Sequence, residues 1–247
     1  MQKVNILGVK IDKVTIAEAT DKIFEMLKEN RNHAVFTPNS EIIYMAYKDA
    51  EFCDLLNSAD MLTADGIGVV YASRILDNPV SERAGGYDIA CRVIDRIADT
   101  GDRLYLFGGK PDVAEMAAEN LKDKYPFINI VGTHNGYFTP EENDGIIDSI
   151  NASGADIVFV CLGAPMQEKW IAENFNKLSC RVMMGIGGSL DVFAGVAERA
   201  PEKWQKSGFE WLYRLIQEPK RFRRMLALPK FAFTVLIKGG NYPQEEE

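Results

Sequence analysis

The chain has 247 residues, 47% of them hydrophobic and 26% charged, with a formal net charge of −8. That length accommodates one large domain, or a domain with an appendage, and the apolar content builds a sizeable core. No apolar run nears the ~20 residues that span a bilayer, and an acidic body argues against general nucleic-acid binding.

The four cysteines, Cys53, Cys91, Cys161 and Cys180, are widely spaced with no CxxC pair. Cys161 and Cys180 sit in apolar runs and read as small buried hydrophobes. The opening Met-Gln-Lys-Val-Asn-Ile-Leu-Gly-Val lacks the apolar region and cleavage site of a secretory signal, so the expected location is cytosolic.

In chain order, Thr15-Ile-Ala-Glu18 is a capping-box pattern opening an amphipathic helix with Ile16, Ala19, Ile23 and Leu27 on one face. His33 to Thr37 reads as a short buried strand stopped by Pro38, and a helix restarts at Asn39 or Ser40. Met61 to Asp65 is strand-like and is broken by Gly66, with a helical stretch following to about Leu76. Asp77 to Tyr87 reads as a linker. Arg103 to Gly109 is a strand ending in glycines, followed by a helix that Pro111 is expected to open at a favoured first-turn position. Asn129 to Gly136 reads as a further strand and turn. Asp156 to Gly163 leads to a helix from Pro165, and Arg181 to Gly188 leads to a short helix from Ser189. Near-continuous apolar strands with helices between them predict an α/β fold around a mostly parallel, Rossmann-like sheet. Ligands of such sheets bind beyond the carboxyl ends of the strands, where the glycine turns fall.

Three strand–glycine–helix junctions fit a nucleotide or phosphate ligand, because glycine lets backbone approach a pyrophosphate and a helix N-terminus offers free N–H groups. Neither a P-loop nor a full G-x-G-x-x-G is present; Gly185-Ile-Gly-Gly188 is a partial echo. Thr37-Pro-Asn39 and Ala64-Asp-Gly66 fall just past two strand ends. Asp65 there could act as a general base, although Asp-Gly is more commonly a turn. The sequence holds no Asp-x-Asp and no metal-ligand spacing of His, Cys, Asp and Glu, so no metal or other cofactor is expected. A pyrophosphate substrate would then be neutralised by Arg, Lys and helix dipoles.

Charge is divided along the chain. Residues 1–198 hold 18 basic and 30 acidic side chains, whereas Arg199 to Lys238 hold ten basic and three acidic. This division predicts a core over 1–195 and a basic appendage over 196–247 that meets an anion or an anionic surface. Arg221 and Arg224 are three apart on one helix face, and Arg214 lies seven before Arg221. Pro219 predicts two consecutive helices, with itself in the first turn of the second. The apolar stripe of Trp211, Leu212, Leu215, Ile216, Phe222, Met225 and Leu226 either docks on the core or is shared with a lipid surface. On residues alone, a nucleotide-binding module with a basic anchor remains open. An NAD-linked oxidoreductase is disfavoured by the incomplete glycine fingerprint.

Taken together and in order, several runs resemble the WecG/TagA/CpsF glycosyltransferases over nearly the whole chain. They are Thr37-Pro-Asn-Ser40, Ala64-Asp-Gly66, Arg83 with Gly85-Gly-Tyr-Asp88, Leu106-Phe-Gly-Gly109, Gly136-Tyr-Phe138, Leu162 to Lys169, Gly185 to Asp191, Arg199-Ala-Pro201, Phe209 to Leu215 and Gln217-Glu-Pro219. Within the family the chain is most similar to the teichoic-acid N-acetylmannosaminyltransferase branch. Its charged run Glu202-Lys-Trp-Gln-Lys206 departs from the more apolar character expected there.

The resemblance implies metal-independent, inverting β-1,4 transfer of N-acetylmannosamine from its UDP donor to undecaprenyl-diphosphate-GlcNAc; another UDP-sugar, such as the uronate or UDP-glucose, is the alternative. It assigns the base to Asp65, a supporting role to Thr37, and the lipid diphosphate to Arg214, Arg221 and Arg224. Asn39, Arg83, Gly108, Gly109, Tyr137, Gln167, Gly187 and Asp191 are the further expected substrate contacts, with Arg83 helping to neutralise phosphate. The resemblance also implies a pocket completed when the appendage folds onto the core, peripheral attachment to the inner leaflet of the cytoplasmic membrane, and homo-oligomerisation away from it.

Overall fold

The computed structural model describes residues 1–217, 219, 222–242 and 244; the side chains of Lys206, Arg214 and Arg223 lie outside that description. The chain opens with an antiparallel hairpin, β1 (Lys3–Ile6) and β2 (Val9–Asp12), with Ile6 opposite Val9. Its two-residue turn, Leu7-Gly8, has both φ angles positive, 54° and 98°. This is the twist that matches two flanking strands, and Asn5 Oδ1 fixes it by accepting from Gly8 N at 2.9 Å. Leucine is a poor signal for such a turn, so nothing in the sequence announced the hairpin. The buried Asp12 accepts from Leu62 N at 2.8 Å and so pins the hairpin to the edge of the main sheet.

That sheet has six strands: β3 (His33–Phe36), β4 (Met61–Leu62), β5 (Arg103–Gly108), β6 (Asn129–His134), β7 (Ile157–Cys161) and β8 (Val182–Gly185). Their order is β4-β3-β8-β7-β5-β6, and every pairing is parallel. Alternate residues enter two separate cores, as the period of a strand requires. Tyr105, Phe107, Val158, Val160 and Met183 face one layer. Leu104, Leu106, Ile157, Phe159, Val182 and Met184 face the other. The first layer includes α2 (Ser40–Lys48), α3 (Ala50–Asn57), α4 (Ile67–Ile75), α7 (Asn143–Ser153) and α8 (Met166–Asn174). The second is built by α1 (Ile16–Met26), α5 (Gly86–Thr100), α6 (Val113–Lys124) and α9 (Ser189–Phe193). The expected α/β architecture is therefore present.

The capping box forms as expected: Thr15 Oγ1 accepts from Glu18 N at 3.1 Å and Thr15 N donates to Glu18 Oε2 at 2.8 Å. Two local expectations are corrected. Pro111 does not open a helix, because the turn after β5 consumes it; Asp112, with φ of 69°, stands at the N-cap position of α6 without a side-chain capping bond. Regular pairing in β4 ends at Leu62 rather than Asp65. Beyond it the chain still tracks β3, with Thr63 N donating to Phe36 O at 3.0 Å and Asp65 N to Pro38 O at 3.2 Å. Arg214 lies in α11 (Glu210–Gln217) and Arg224 in α12 (Phe222–Met225), on separate helices either side of Pro219 as expected; among the described residues the C-terminal segment also holds α10 (Glu202–Lys206) and α13 (Ala227–Lys238).

Helix α13 packs on α2 and α4 and adds Phe231 and Val235 to the core. Beyond it, Gln244 exchanges two hydrogen bonds with the Asn5 backbone, each 2.9 Å. Phe159 is fully buried on the inner strand β7. Truncation by Phe159→Ala is expected to cost about 3–5 kcal/mol through lost transfer energy and a residual cavity, seen as a lower urea midpoint.

Candidate active site

Leaving β5, the chain moves outward to β6, whereas leaving β7 it moves inward to β8. The helices α6 and α8 consequently lie on opposite faces, which makes the carboxyl ends of β5 and β7 the topological switch point, where such sheets form their ligand crevice. Glycines close its floor. Gly108, with φ of 129°, lies so near β7 that a Cβ would fall 2.3 Å from Cys161 O. Gly109 N donates to Cys161 O at 3.1 Å, and Gly136 N donates to Gly109 O at 2.8 Å. Gly163 and Gly187 both have positive φ, and a Cβ on either would meet nothing within 4 Å. At these two turns the backbone faces open space that a ligand could approach. Tyr137 is 67% exposed, and Asp191 occupies the first turn of α9. Gly163 was absent from the expected contacts, although it lies within the Leu162 to Lys169 run.

A second group gathers at the ends of β3 and β4. Thr37 is buried and its hydroxyl donates to Gly185 O at 3.2 Å. Asn39 caps α2, its Oδ1 accepting from Glu41 N and Ile42 N at 2.9 and 3.1 Å. The start of α5 meets this group closely. A Cβ on Gly85 would lie 2.9 Å from Asp65 Oδ1, and one on Gly86 would lie 2.7 Å from Thr37 Oγ1. Those glycines let a helix N-terminus sit against the Asp65 carboxylate, whose charge its dipole favours.

Arg83 joins Asp65 to the C-terminal segment. Its Nη1 lies 4.0 Å from Asp65 Oδ1 and 3.1 Å from Glu210 Oε2. Its Nη2 lies 2.5 Å from Asp88 Oδ2, and Arg199 Nη2 lies 2.5 Å from Asp88 Oδ1. The Arg199 guanidinium sits 4.6 Å from the centre of the Tyr87 ring, which stacks on Phe193. Burial pushes the Tyr87 phenol up to about 12, so it stays protonated. Asp88, Arg199 and Glu210 were not among the expected site residues. Their sequence signal was Asp88 in Gly-Gly-Tyr-Asp, and the two others in runs noted only for resemblance. Arg224 Nε donates to Glu41 Oε1 at 2.7 Å, beside the Asn39 cap. Arg221 and the Arg214 side chain lie outside the described residues.

Gln167 links the two groups. It is buried, its Oε1 accepts from Gly187 N at 3.0 Å, and its Nε2 donates to Glu168 Oε1 at 2.9 Å. Together with the Thr37 bond to Gly185 O, it fixes the glycine turn after β8 from both sides. Among the described residues, no three His, Cys, Asp or Glu side chains are grouped to hold a metal ion.

The model of the Glycosyl transferase WecG/TagA/CpsF family matches residues 4–244 of the chain. The chain belongs to that family. It is therefore a glycosyltransferase, and the crevice and the Asp65 group lie at the sheet end where such a fold binds ligands. The N-acetylglucosaminyldiphosphoundecaprenol N-acetyl-beta-D-mannosaminyltransferase of Bacillus subtilis (strain 168) is 37% identical over 217 residues, 86% of this chain and 84% of its own length. The protein of the same name from Staphylococcus aureus (strain MRSA252) is 34% identical over 235 residues, 94% of this chain and 92% of its own.

Burial pushes the carboxyl of Glu168 up from the ordinary 4.5, against the opposing hydrogen bond from Gln167. A folded value above the unfolded one means that Glu168 favours the fold at acid pH, a contribution lost as pH rises through the raised value. In the transferase, the neutral isostere Glu168→Gln is therefore expected to raise the urea midpoint at about pH 8 and leave it unchanged at about pH 3.5. A variant less stable than the parent at the higher pH would contradict this.

Proposed function

We propose that the enzyme transfers N-acetylmannosamine from UDP-N-acetylmannosamine to the 4-hydroxyl of GlcNAc on undecaprenyl diphosphate, with inversion and without a metal ion. The observation that carries the mechanism is Asp65 at the N-terminus of α5, beside Thr37 and across the Gly185–Gly188 turn from the nucleotide crevice. The donor and acceptor are those suggested by the names of its relatives.

The UDP moiety lies along the glycine floor at Gly108, Gly109, Gly163 and Gly187, with Tyr137 and Asp191 at its edges. Asp65 accepts the proton of the acceptor 4-hydroxyl as that oxygen bonds to the anomeric carbon. The bond from that carbon to the UDP oxygen breaks on the opposite face, and UDP leaves with the electron pair. Thr37 and Asn39 orient the sugars; the Asn39 Oδ1 is committed to its helix cap, so its amide N–H groups are the donors for a sugar hydroxyl. Arg83 already faces Asp88 and Glu210, which leaves the diphosphate charge mainly to Arg214, Arg221 and Arg224.

Attachment to the inner leaflet of the cytoplasmic membrane is supported by the C-terminal helices. Phe231 and Val235 of α13 turn inward, while Phe233, Leu236 and Ile237 are exposed, as are Ile216 and Phe222 in the preceding helices. Exposed apolar groups among many Lys and Arg suit a surface of anionic lipid, and the same patch would favour self-association away from it. Among the described residues, no helix is long and apolar enough to cross a membrane.

The test is UDP release from UDP-N-acetylmannosamine, with and without a lipid-diphosphate-GlcNAc acceptor, in EDTA. Release that depends on the acceptor is expected, and its absence despite UDP binding would reject the donor or acceptor named here. Asp65→Asn is expected to lower kcat by ~10²-fold or more without changing the melting temperature. Arg224→Ala is expected to raise KM for the lipid acceptor by ~10-fold, the loss of about one charge-assisted hydrogen bond, and to leave KM for the donor unchanged.

A further inference from the structure

Helix α4 is capped by Gly66, directly after Asp65, and its far end reaches α13. Its inward side is Val69, Val70, Ala72 and Ser73, all buried. Its outward side carries Ile67, Tyr71 and Ile75, which recur every four residues and so form one row. A surface helix ordinarily turns charged residues outward. Here the one charged side chain in the helix is Arg74, with its guanidinium 5.9 Å from the centre of the Tyr71 ring. Tyr71 is 54% exposed and Ile75 47%. A single exposed apolar residue needs no explanation, but a row of them marks a contact surface.

Both ends of the row are placed by the fold. At its start, Ile67 lies two residues beyond Asp65, and Gly208 of the C-terminal segment packs on it: a Cβ on that glycine would fall 3.1 Å from Ile67 Cγ1. At its finish, Ile75 borders a hollow of about 340 Å³ between α4 and α13. Leu76, Val235, Leu236 and Tyr242 line the hollow too, with Asp77 and Gln244 as its polar groups. Its volume is at the small end of ligand sites, which run from ~300 to ~1,000 Å³. Leu236 also belongs to the exposed apolar face of α13. Eight residues of helix separate Ile67 from Ile75, about 12 Å. The row therefore leads from the reacting rim of the sheet to the face of α13 that suits lipid.

We propose that the row Ile67, Tyr71 and Ile75, with the hollow at its end, binds the hydrocarbon chain of the polyprenyl diphosphate acceptor as it passes from the membrane to the site. The assignment rests on the acceptor proposed above. It goes further in giving that acceptor's chain a track on the core, separate from the arginines assigned to its diphosphate. An acceptor whose sugar reaches the rim while its tail stays in lipid must carry isoprene units across the intervening 12 Å or so of α4. A row without a carboxylate covers those carbons from water, and apolar cover of that kind favours binding roughly in proportion to its area. A phospholipid headgroup would instead call for clustered cations, and the helix offers Arg74 alone.

The experiment compares the full chain with its double variant Tyr71→Gln/Ile75→Gln, in which a good helix former replaces each exposed residue. Two diphosphate-GlcNAc acceptors are used, one with a single isoprene unit and one with six. The variant is expected to raise KM for the longer acceptor by ~10-fold, as expected from uncovering one or two methylene equivalents. KM for the shorter acceptor and for the donor should stay within about twofold, and the melting temperature should be unchanged. Sedimentation with vesicles of anionic phospholipid, without acceptor, should be unchanged as well. An equal rise in KM for both acceptors, or no rise for the longer one, would overturn the proposal. So would a loss of vesicle binding, which would make the row a contact for the bilayer itself. The two readings fail separately. Absence of acceptor-dependent UDP release in the parent protein rejects the proposed reaction, whereas calorimetric titration with the two polyprenyl diphosphates reads the track without turnover. Equal affinity of parent and variant for the longer diphosphate rejects the track even if the reaction is confirmed.

Discussion

A parallel sheet covered on both faces has few places where its strands can present chemistry. In this protein, alternate residues of all the inner strands are buried between helices, and the carboxyl ends of β3, β5, β7 and β8 point the same way. Side chains just past those ends are brought onto one rim whatever their separation in sequence. Thr37, Asp65, Gly108, Gly163 and Gly187 meet because they share this position in their respective units. The constraint also explains the concentration of glycine there, since neighbouring strand ends must converge at backbone distance, as at Gly108 against Cys161.

The rim is divided into two regions with different physical character. Between β5 and β7 it is mainly main chain, with open glycine turns and helix starts suited to a phosphorylated ligand. Beside β3 and β4 it is ionic, with three carboxylates and two guanidiniums in contact. Gln167 and Thr37 hold the turn between the regions from either side. A shift of that turn would move both regions together, and this supplies a reason for a buried Gln-Glu pair at a cost in desolvation.

Much of this rim could be read from residue order. All six parallel strands were legible, three of them from near-continuous apolar runs ending in glycine, because burial on both faces leaves little else for such a run to be. Thr37 and Asp65 could be placed on the rim because each lies just past the end of a strand. The ion cluster was not legible in the same way. Arg83 and Asp88 are five residues apart, but Arg199 and Glu210 reach them across the fold, and sequence spacing carries no information on such pairings. The β1–β2 hairpin was missed because its turn uses leucine at a position where Asn or Gly is the usual mark. The boundaries of α6 and β4 shifted for a related reason: turn geometry, rather than residue preference, decided where the helix began and where ladder pairing ended.

The C-terminal segment has been described by what it touches, but its two ends have a joint consequence. Near its start, Arg199 and Glu210 grip the ionic rim; near its finish, Gln244 is bonded to the Asn5 backbone of the hairpin. A segment fastened at both ends is a strap, not an arm. Releasing one fastening leaves a loop whose ends remain close, and closing such a loop again costs only the slowly growing entropy of its length. Its helices can therefore leave the rim and return without the search in space that a free tail would face.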